Sequence, residues 1–540
     1  MKLTDDQIRA IQDLENNSVI MACPGSGKTT VLIHKMSLCC EKIKKYNGIV
    51  GLSFTNKSSQ ELKKRFQIIN KSKNLNYIGT IDSFFINEII KPFLPKIWIG
   101  GGDFEVVKIL INEEEDFFSK NYENKKIEID DVLSDPAFKS LYLYGKVLQN
   151  SINALALYVI QRSLSCRKYL LARYKYLFVD EYQDSSLTQH LVFLEFLKMG
   201  FKITVVGDID QSIYKWREAV PENMISLIEN YNFKKYSINI NHRCDPSIDL
   251  YARVFLTKKD ELPLENKNIF CVHIKDAKES RYAKLDDLID DIKKHDDELS
   301  YSDFAILCAK TAPLEHYMSK TRHNCRIYED DPLDKISNFI SKLCSDLFFY
   351  KYNDKYSLYT IFDKHDNKLK NISFEDFKEI SKKIRSEVDI DKICILLKEL
   401  IFKIDKSIDS SNCLLAVRSI LENERYLKFY KKMDRNDLQL MTIYKAKGLE
   451  FKIVIHIGME QWTFPSKSKD SNQNWVFKDA SGDKNLHYVA ITRAEKICYL
   501  VSMSKRVTKS DDKYYEKDAT VSEFLKIERM NKHIIDLGEL

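Results

Sequence analysis

Lys28 and Thr29, at the end of a glycine-rich stretch, and the adjacent carboxylates Asp180 and Glu181 are the residues whose types and spacing could do chemistry on a phosphoanhydride. The stretch is SVIMACPGSGKTT, Ser18 to Thr30. Gly25 and Gly27 let the backbone approach an anion, the start of the next helix turns its N–H groups toward it, Lys28 reaches β/γ oxygens, and Thr29 offers a hydroxyl to Mg²⁺. The carboxylates end a run of strand formers, YKYLFVDEYQD, Tyr174 to Asp184. At the C-terminal edge of a sheet Asp180 would hold Mg²⁺, through water, and Glu181 would orient and activate an attacking water. Each half alone is a weak signal: a glycine-rich turn before a helix, or a solvated strand end. Together they point to hydrolysis of a nucleoside triphosphate. One position departs from GxxxxGK[ST]: Ala22 stands where the first glycine usually sits.

A third stretch, VVGDIDQSIYKWREA (Val205–Ala219), runs from a strand into Asp208, Asp210 and Gln211, an amide able to sense a γ-phosphate, and then Tyr214, Trp216 and Arg217. Aromatics interleaved with cations suit base stacking and phosphate contact with a single strand, the alternative being core aromatics.

These residues need strands that end at one edge and helices that start there. Apolar runs of strand length occur at Ser18–Ala22, Ile49–Phe54, Tyr77–Gly79, Tyr176–Val179 and Ile203–Gly207, alternating with helical patterns, which reads as parallel α/β. Between Asn87 and Ala172 the texture changes to longer amphipathic segments, Phe104–Phe118 and Leu141–Leu164, read as a helical insertion. A second α/β rhythm begins near Asn241 with strands Phe270–Ile274 and Phe304–Ala309 around a helix Leu285–Lys294. It is interrupted by a charged helical block from Asp330 to Asn436 and returns with strands Leu438–Tyr444 and Phe451–Gly458, a helix Asn485–Lys496 and a strand Ile497–Met503. The charged tail Lys505–Tyr515 reads as a surface loop.

The 540 residues exceed one core, and 85 basic against 79 acidic residues leave a net charge of +6, compatible with nucleic acid without demanding it. Twelve cysteines, none in a CxxC pair, read as small buried hydrophobes rather than a disulfide or zinc framework. The start has no apolar leader and no stretch reaches the ~18 apolar residues of a membrane span, so a cytoplasmic protein without a membrane partner is expected.

SFTNKSSQELKKR (Ser53–Arg65), GTIDSFF (Gly79–Phe85), VDEYQD, GDIDQSIYKWR, NHRCDP (Asn241–Pro246), MTIYKAKGLEF (Met441–Phe451) and YVAITRA (Tyr488–Ala494) resemble, in order, the motif series of superfamily 1 helicases of the UvrD/Rep/PcrA type. The resemblance implies an α/β fold with two RecA-like parallel-sheet core domains, each carrying a mostly helical insertion: 1–88 with 171–240, interrupted by 89–170, and 241–329 with 437–540, interrupted by 330–436. ATP and Mg²⁺ are the implied cofactors. Pro24, Gly25, Ser26, Gly27, Lys28, Thr29 and Thr30 would cradle the triphosphate, and Thr29 and Asp180 would serve the metal. Lys28, Asp180, Glu181 and Gln211 would act in hydrolysis. Gln7 matches the glutamine that reads adenine, Arg243 and Arg493 match two arginines that reach the γ-phosphate from the second core domain, Glu450 matches a ribose contact, and Gly448 permits close backbone approach. Phe54, Thr55, Asn56, Lys57, Thr80, Tyr214, Trp216, Arg217 and Thr442 match positions that line the single-strand track.

Four residues depart from the family pattern: His242 for an adenine-stacking tyrosine, Asp82 and Tyr444 for histidines, and Glu218 for a glycine. The implied activity is ATP-driven movement on DNA, single-stranded or as a tailed duplex, in the 3′ to 5′ direction. The rival reading is an ATPase subunit that senses DNA or nucleotide and regulates a partner such as a nuclease, with little unwinding. The short second insertion, the altered Tyr444 and the absence of a D…ExK nuclease cluster motivate it, and compact helicases of this type are similar to the helicase components of anti-phage systems such as Gabija, within a defence or repair complex. A GTPase switch is disfavoured by the lack of an NKxD guanine-reading motif.

Overall fold

Ser18–Ala22 (β1), Gly48–Ser53 (β2), Tyr77–Thr80 (β3), Tyr174–Val179 (β4), Lys202–Gly207 (β5) and Lys234–Ile238 (β6) pair in parallel, in the order β3-β2-β4-β5-β1-β6, in the computed structural model of the chain. The structure describes residues 3–70, 75–108, 122, 126–214, 218–257, 259, 261–276, 280–336, 338–365, 368–470 and 473–540. The strands read as nearly continuous apolar runs because both faces of the sheet are covered. Alternate residues serve opposite cores: Val19, Val50, Leu177 and Val205 pack on one side, while Ile20, Ile49, Phe178 and Val206 pack on the other against Leu32 and Met36 of α2 (Lys28–Lys42) and Leu62 and Phe66 of α3 (Asn56–Ile69). Since every strand is parallel, the segments that leave β1, β2, β3, β4 and β5 emerge at a single edge.

The first insertion shares a core with this sheet, Ile152, Leu155, Val159 and Ile160 joining Val19 and Val50. The segment expected as one amphipathic stretch, Leu141–Leu164, is a helix ending at Leu143, a strand Lys146–Leu148 and a helix Ile152–Arg162. Gly145, at φ +85, turns the chain out of the helical path. Phe104–Phe118, expected to be helical, opens with a short strand, Glu105–Val107, paired in parallel with Lys146–Leu148, and from residue 109 lies outside the described residues.

A second, seven-stranded parallel sheet contains Ile269–Ile274 (β7), Phe304–Cys308 (β8), Cys325–Tyr328 (β9), Leu438–Thr442 (β10), Phe451–His456 (β11), Ala494–Met503 (β14) and Ile535–Glu539 (β17), in the order β9-β10-β8-β11-β14-β7-β17. Between β11 and β14 lies a small antiparallel pair, Lys467–Lys469 (β12) with Trp475–Phe477 (β13). The block between β9 and β10 is helical with its own core, built on Leu343, Leu347, Phe348, Phe377, Leu397, Leu400, Val417 and Tyr430.

Two expectations are corrected. The helix placed at Asn485–Lys496 spans Ala480–Ile491, because Asp479 caps it by accepting from Gly482 N–H, and strand residues resume at Ala494. The tail Lys505–Tyr515 is not a loop but an antiparallel hairpin, Lys505–Ser510 (β15) with Lys513–Asp518 (β16). Asp511 and Asp512 both take positive φ, 48° and 59°, which matches the twist of a two-residue hairpin turn.

By contact the chain falls into two compact units, 1–261 with 479–492 and 262–478 with 493–540. Among the described residues no helix is long and apolar enough to cross a membrane.

Candidate functional site

The turn between β1 and α2 is built by two glycines in the left-handed region, Gly25 at φ +68 and Gly27 at φ +78. Gly27 is also the N-cap of α2, so the first N–H groups of that helix, from Lys28 on, lack intrahelical acceptors and project into the turn with the positive end of the helix dipole. Gly25 is required for a second reason. A Cβ there would lie 2.3 Å from Asn241 Oδ1 and 2.6 Å from Arg243 Cβ, and the Gly25 carbonyl accepts from His242 N–H at 3.1 Å. Ser26 braces the turn from inside, its hydroxyl donating to the Cys23 carbonyl at 2.7 Å.

Gln7 is buried, and its amide donates to the Ser26 carbonyl at 2.9 Å while its carbonyl oxygen accepts from Thr4 N–H at 2.9 Å. One side chain thus closes the capping box of the first helix (Asp5–Gln12) and holds the turn.

Lys28 Nζ lies 3.0 Å from Glu181 Oε1, and Thr29 Oγ1 donates to Asp180 Oδ2 at 3.4 Å. Glu181 sits at φ +54, an uncommon conformation for a residue with a Cβ, costing roughly 1 kcal/mol. The strain is placed where it aims the carboxylate back at Lys28. Burial opposes the charge on Lys28, but Glu181, Asp208 and Asp180 together hold its ammonium above the ordinary lysine value. Burial pushes Asp180 up to about 7, aided by the neighbouring Glu181 charge, and pushes Asp208 up to about 6 despite Lys28. Three carboxylates around one buried lysine form a site short of positive charge.

That deficit, the left-handed glycines and the pair of hard oxygen donors on Thr29 and Asp180 fit a magnesium-bound triphosphate. Among the described residues no cluster of three or more His, Cys, Asp or Glu could hold a metal ion by itself. Thr29 and Asp180 would therefore share the ion with phosphate and water, as Mg²⁺ prefers.

A residue to which the sequence assigns no role connects the parts. Gln183 is fully buried. Its amide donates to Glu181 Oε2 at 2.5 Å and its carbonyl oxygen accepts from Asp208 N–H at 3.0 Å. Asp208 Oδ2 in turn accepts from Gln211 Nε2 at 2.8 Å, so Lys28, Glu181, Gln183, Asp208 and Gln211 form one hydrogen-bonded chain. Gly207 makes room for it, since a Cβ there would lie 2.3 Å from Gln183 Oε1. Gln183→Met keeps the volume but releases Glu181 and orphans Asp208 N–H. We expect kcat for ATP hydrolysis to fall by ~10–100-fold with nucleotide affinity little changed, as for other residues that orient a reacting group. Steady-state kinetics beside nucleotide titration checks this, and an equal loss of affinity would point to a collapsed fold.

Arg243 belongs by contact to the first unit, where its Nη1 donates to the Thr492 carbonyl at 3.3 Å. In the same unit the helix Ala480–Ile491 reaches the Gln211 turn, Asn485 donating to the Ser212 carbonyl at 3.1 Å. Arg493 opens the return to the second unit. It is 1% exposed, and its Nη1 donates to the Leu449 carbonyl at 3.1 Å. Gly448, at φ +81, and Glu450 are exposed on the same unit, and His242 is exposed beside the glycine turn.

Of the expected strand contacts, Phe54, Thr55, Asn56 and Lys57 follow β2, Thr80 ends β3 and Tyr214 follows β5, all at the edge that carries Asp180. Thr55 and Thr80 also cap helices, accepting from Ser58 and Ser83 N–H. Thr442 ends β10 in the second sheet. Trp216 and Arg217 lie outside the described residues. Two departures acquire a physical meaning: Asp82 stands in the first turn of the Ile81–Phe84 helix, where an acid complements the dipole, and Glu218 occupies φ +64, a conformation suited to the glycine it replaces.

The family described as UvrD/REP helicase N-terminal domain matches residues 3–98 and 111–232. The chain is 29% identical to the Gabija protein GajB of Bacillus cereus (strain VD045), over 96% of this chain and 98% of that protein. It is 24% identical to the ATP-dependent DNA helicase PcrA of Staphylococcus aureus and 23% identical to that of Staphylococcus epidermidis, in each case over 94% of this chain and 84% of the relative.

Proposed function

We propose, because this chain belongs to the UvrD/PcrA-type helicases, which are DNA-dependent ATPases, that it is a 3′-to-5′ motor on single-stranded DNA able to open tailed duplexes. The observation that carries this reading is the shared edge of the first sheet. β1 and β4 present the glycine turn and the carboxylates there, and β2 and β3, next in order, present Phe54 to Lys57 and Thr80. A change at the carboxylates is thereby one strand away from the residues proposed to touch the DNA.

In this reading ATP supplies the phosphoanhydride and Mg²⁺ offsets the charge on its oxygens. Lys28 exchanges Glu181 for phosphate oxygens, which frees the Glu181 carboxylate to take a proton from water. Gln183 holds that carboxylate by its second oxygen, and Gln211, at the end of the same hydrogen-bonded chain, reports the change to the Tyr214 segment. Arg243 and Arg493 act on the γ-phosphate, Gln7 and His242 on the base, Glu450 and Gly448 on the sugar. The RecA-like cores are 1–88 with 171–240 and 241–329 with 437–540, and 89–170 and 330–436 are their insertions. The protein works in the cytoplasm.

An assay of ATP hydrolysis with and without single-stranded DNA, beside unwinding of 3′- and 5′-tailed duplexes, tests the reading. DNA stimulates hydrolysis and only the 3′-tailed duplex opens; stimulation with no opening of either duplex would sink the motor. That result would favour the second reading, in which nucleotide state controls a nuclease partner in antiviral defence. The match to GajB over nearly the whole of both chains supports it.

Trp216→Ala is expected to lower DNA-stimulated hydrolysis by roughly ten- to a hundredfold, the loss of one base-stacking contact. An equal drop in basal hydrolysis would assign Trp216 to the core instead.

A further inference from the structure

The hairpin β12–β13 sets a row of aromatic rings beside a row of lysines on an exposed surface. In its antiparallel register Lys467 faces Phe477 and Lys469 faces Trp475, so these four side chains share one side of the ribbon and Ser468 and Val476 the other. Lys467 Nζ stands 3.7 Å from the centre of the Trp475 ring, and Lys469 Nζ stands 5.5 Å from it. Trp462, at φ +70, extends the row, its ring 5.3 Å from Phe477 and 5.7 Å from Lys467 Nζ. Trp475 remains 51% exposed and Phe477 37% exposed.

The charge around this row is one-sided. Burial, slight as it is, and then Arg506, Lys517 and Lys310 lower the pKa of Lys467, each of the three being a like charge. Among the described residues Lys467, Lys469, Arg506, Lys517 and Lys310 form no ion pair with a carboxylate. The nearest turn acid, Asp470, is engaged in accepting from Asn474 N–H at 2.8 Å. Exposed cation–π contacts hold the two strands together, but they do not account for the like charges of Arg506, Lys517 and Lys310 gathered around Lys467.

We propose that this face is a second single-strand contact, in which Trp475, Phe477 and Trp462 stack on successive bases while Lys467 and Lys469 neutralise the phosphates between them. It belongs wholly to the second unit and uses none of the residues expected to line the single-strand track. Two features select nucleic acid over an acidic protein segment. Trp475 and Phe477 line one strand and the lysines line the strand facing it, so a row of stacking surface runs beside a row of positive charge, and Lys467 and Lys469 are spaced two strand residues apart, about 6.8 Å, which suits bases beside successive phosphates rather than a single carboxylate pocket. The proposal rests on the reading of the chain as a DNA-dependent ATPase.

The test is fluorescence anisotropy of a labelled oligodeoxythymidylate with the full chain over a series of KCl concentrations. Trp475→Ala lowers affinity about tenfold or more, and Trp475→Phe restores most of it. The double substitution Lys467→Ala with Lys469→Ala flattens the slope of log affinity against log salt by about 1.4, roughly 0.7 for each lost phosphate contact on a single strand. Val476→Ala, on the opposite side of the ribbon, changes neither. Wild-type binding and slope in Trp475→Ala and in the lysine pair, with the oligonucleotide still stimulating ATP hydrolysis, would overturn the hairpin contact and leave the ATPase reading standing. If the oligonucleotide neither binds nor stimulates the unaltered chain, both fall. If the same substitutions abolish binding of a poly-glutamate peptide and spare the oligonucleotide, the face takes an acidic protein and the proposal is wrong.

Discussion

Glu181→Gln abolishes ATP turnover, by ~10²–10⁴-fold or more, while leaving nucleotide and single-strand binding near normal. The glutamine matches the shape of the glutamate and its oxygen can still accept from Lys28, so the turn that Glu181 occupies at φ +54 keeps its packing even though the new amide N–H2 faces the Gln183 N–H2 in place of an acceptor. What it loses is the capacity to take a proton. Lys28→Ala gives the same loss by a different route. It removes the cation that faces Glu181 at 3.0 Å and leaves Asp180, Glu181 and Asp208 with no counter-charge. Asp180 and Asp208, already raised to about 7 and about 6 by burial, rise further, and the pocket neutralises by taking up protons instead of metal-bound phosphate. The two variants therefore separate: Glu181→Gln binds a fluorescent ATP analogue normally and turns nothing over, whereas Lys28→Ala binds it weakly. Phosphate release and nucleotide titration read both. Wild-type turnover in either variant would remove this pocket from the reaction.

Most of this pocket is legible in the sequence because its elements are bounded by residues with few conformational choices. Ser18–Ala22 is readable as a strand to the residue, since Pro24 and the left-handed Gly25 and Gly27 stop it and α2 starts at once. Asp180 and Glu181 are readable because strand formers run up to them without a break. Gln183 is not. Its type is compatible with any solvated turn, and its function comes from a fold that brings the Asp208 N–H and the Glu181 carboxylate to its two ends and clears Gly207 for it. β6, KKYSI, escapes the sequence pattern for another reason. It is an edge strand, where lysines at its start face solvent and blunt the open edge, so no apolar run marks it. The β12–β13 hairpin is hidden likewise by its lysines, and β15–β16 by an Asp-Asp turn in place of a glycine. Arg243 is expected on the second core, yet its backbone N–H donates to Asn241 and its guanidinium to Thr492, which groups it with the glycine turn. A motif fixes a residue's chemistry before it fixes which body carries it.

Arg493→Ala is expected to lower kcat by ~10²-fold or more with nucleotide affinity near wild type. A guanidinium that meets the γ-phosphate only as charge develops stabilises the transition state without adding to ground-state binding, and this predicts a kcat effect alone. The geometry around Arg493 supplies the competing explanation and the control for it. The side chain is buried and donates to the Leu449 carbonyl, and its own carbonyl accepts from Phe451 N–H at 2.9 Å, so it also ties the Gly448–Glu450 turn to β14. Truncation could loosen that turn, which carries the proposed ribose contacts, and the signature would be weaker nucleotide binding. Arg493→Lys distinguishes the two. Lysine keeps a cation able to reach the Leu449 carbonyl but lacks the planar fork, so a positioning tie survives and a bidentate phosphate contact does not. A kcat as low in the lysine variant as in the alanine variant, with Kd for nucleotide unchanged in both, assigns Arg493 to the reaction. Recovery of kcat in the lysine variant, or loss of binding without a change in kcat, makes it a strut of the second sheet.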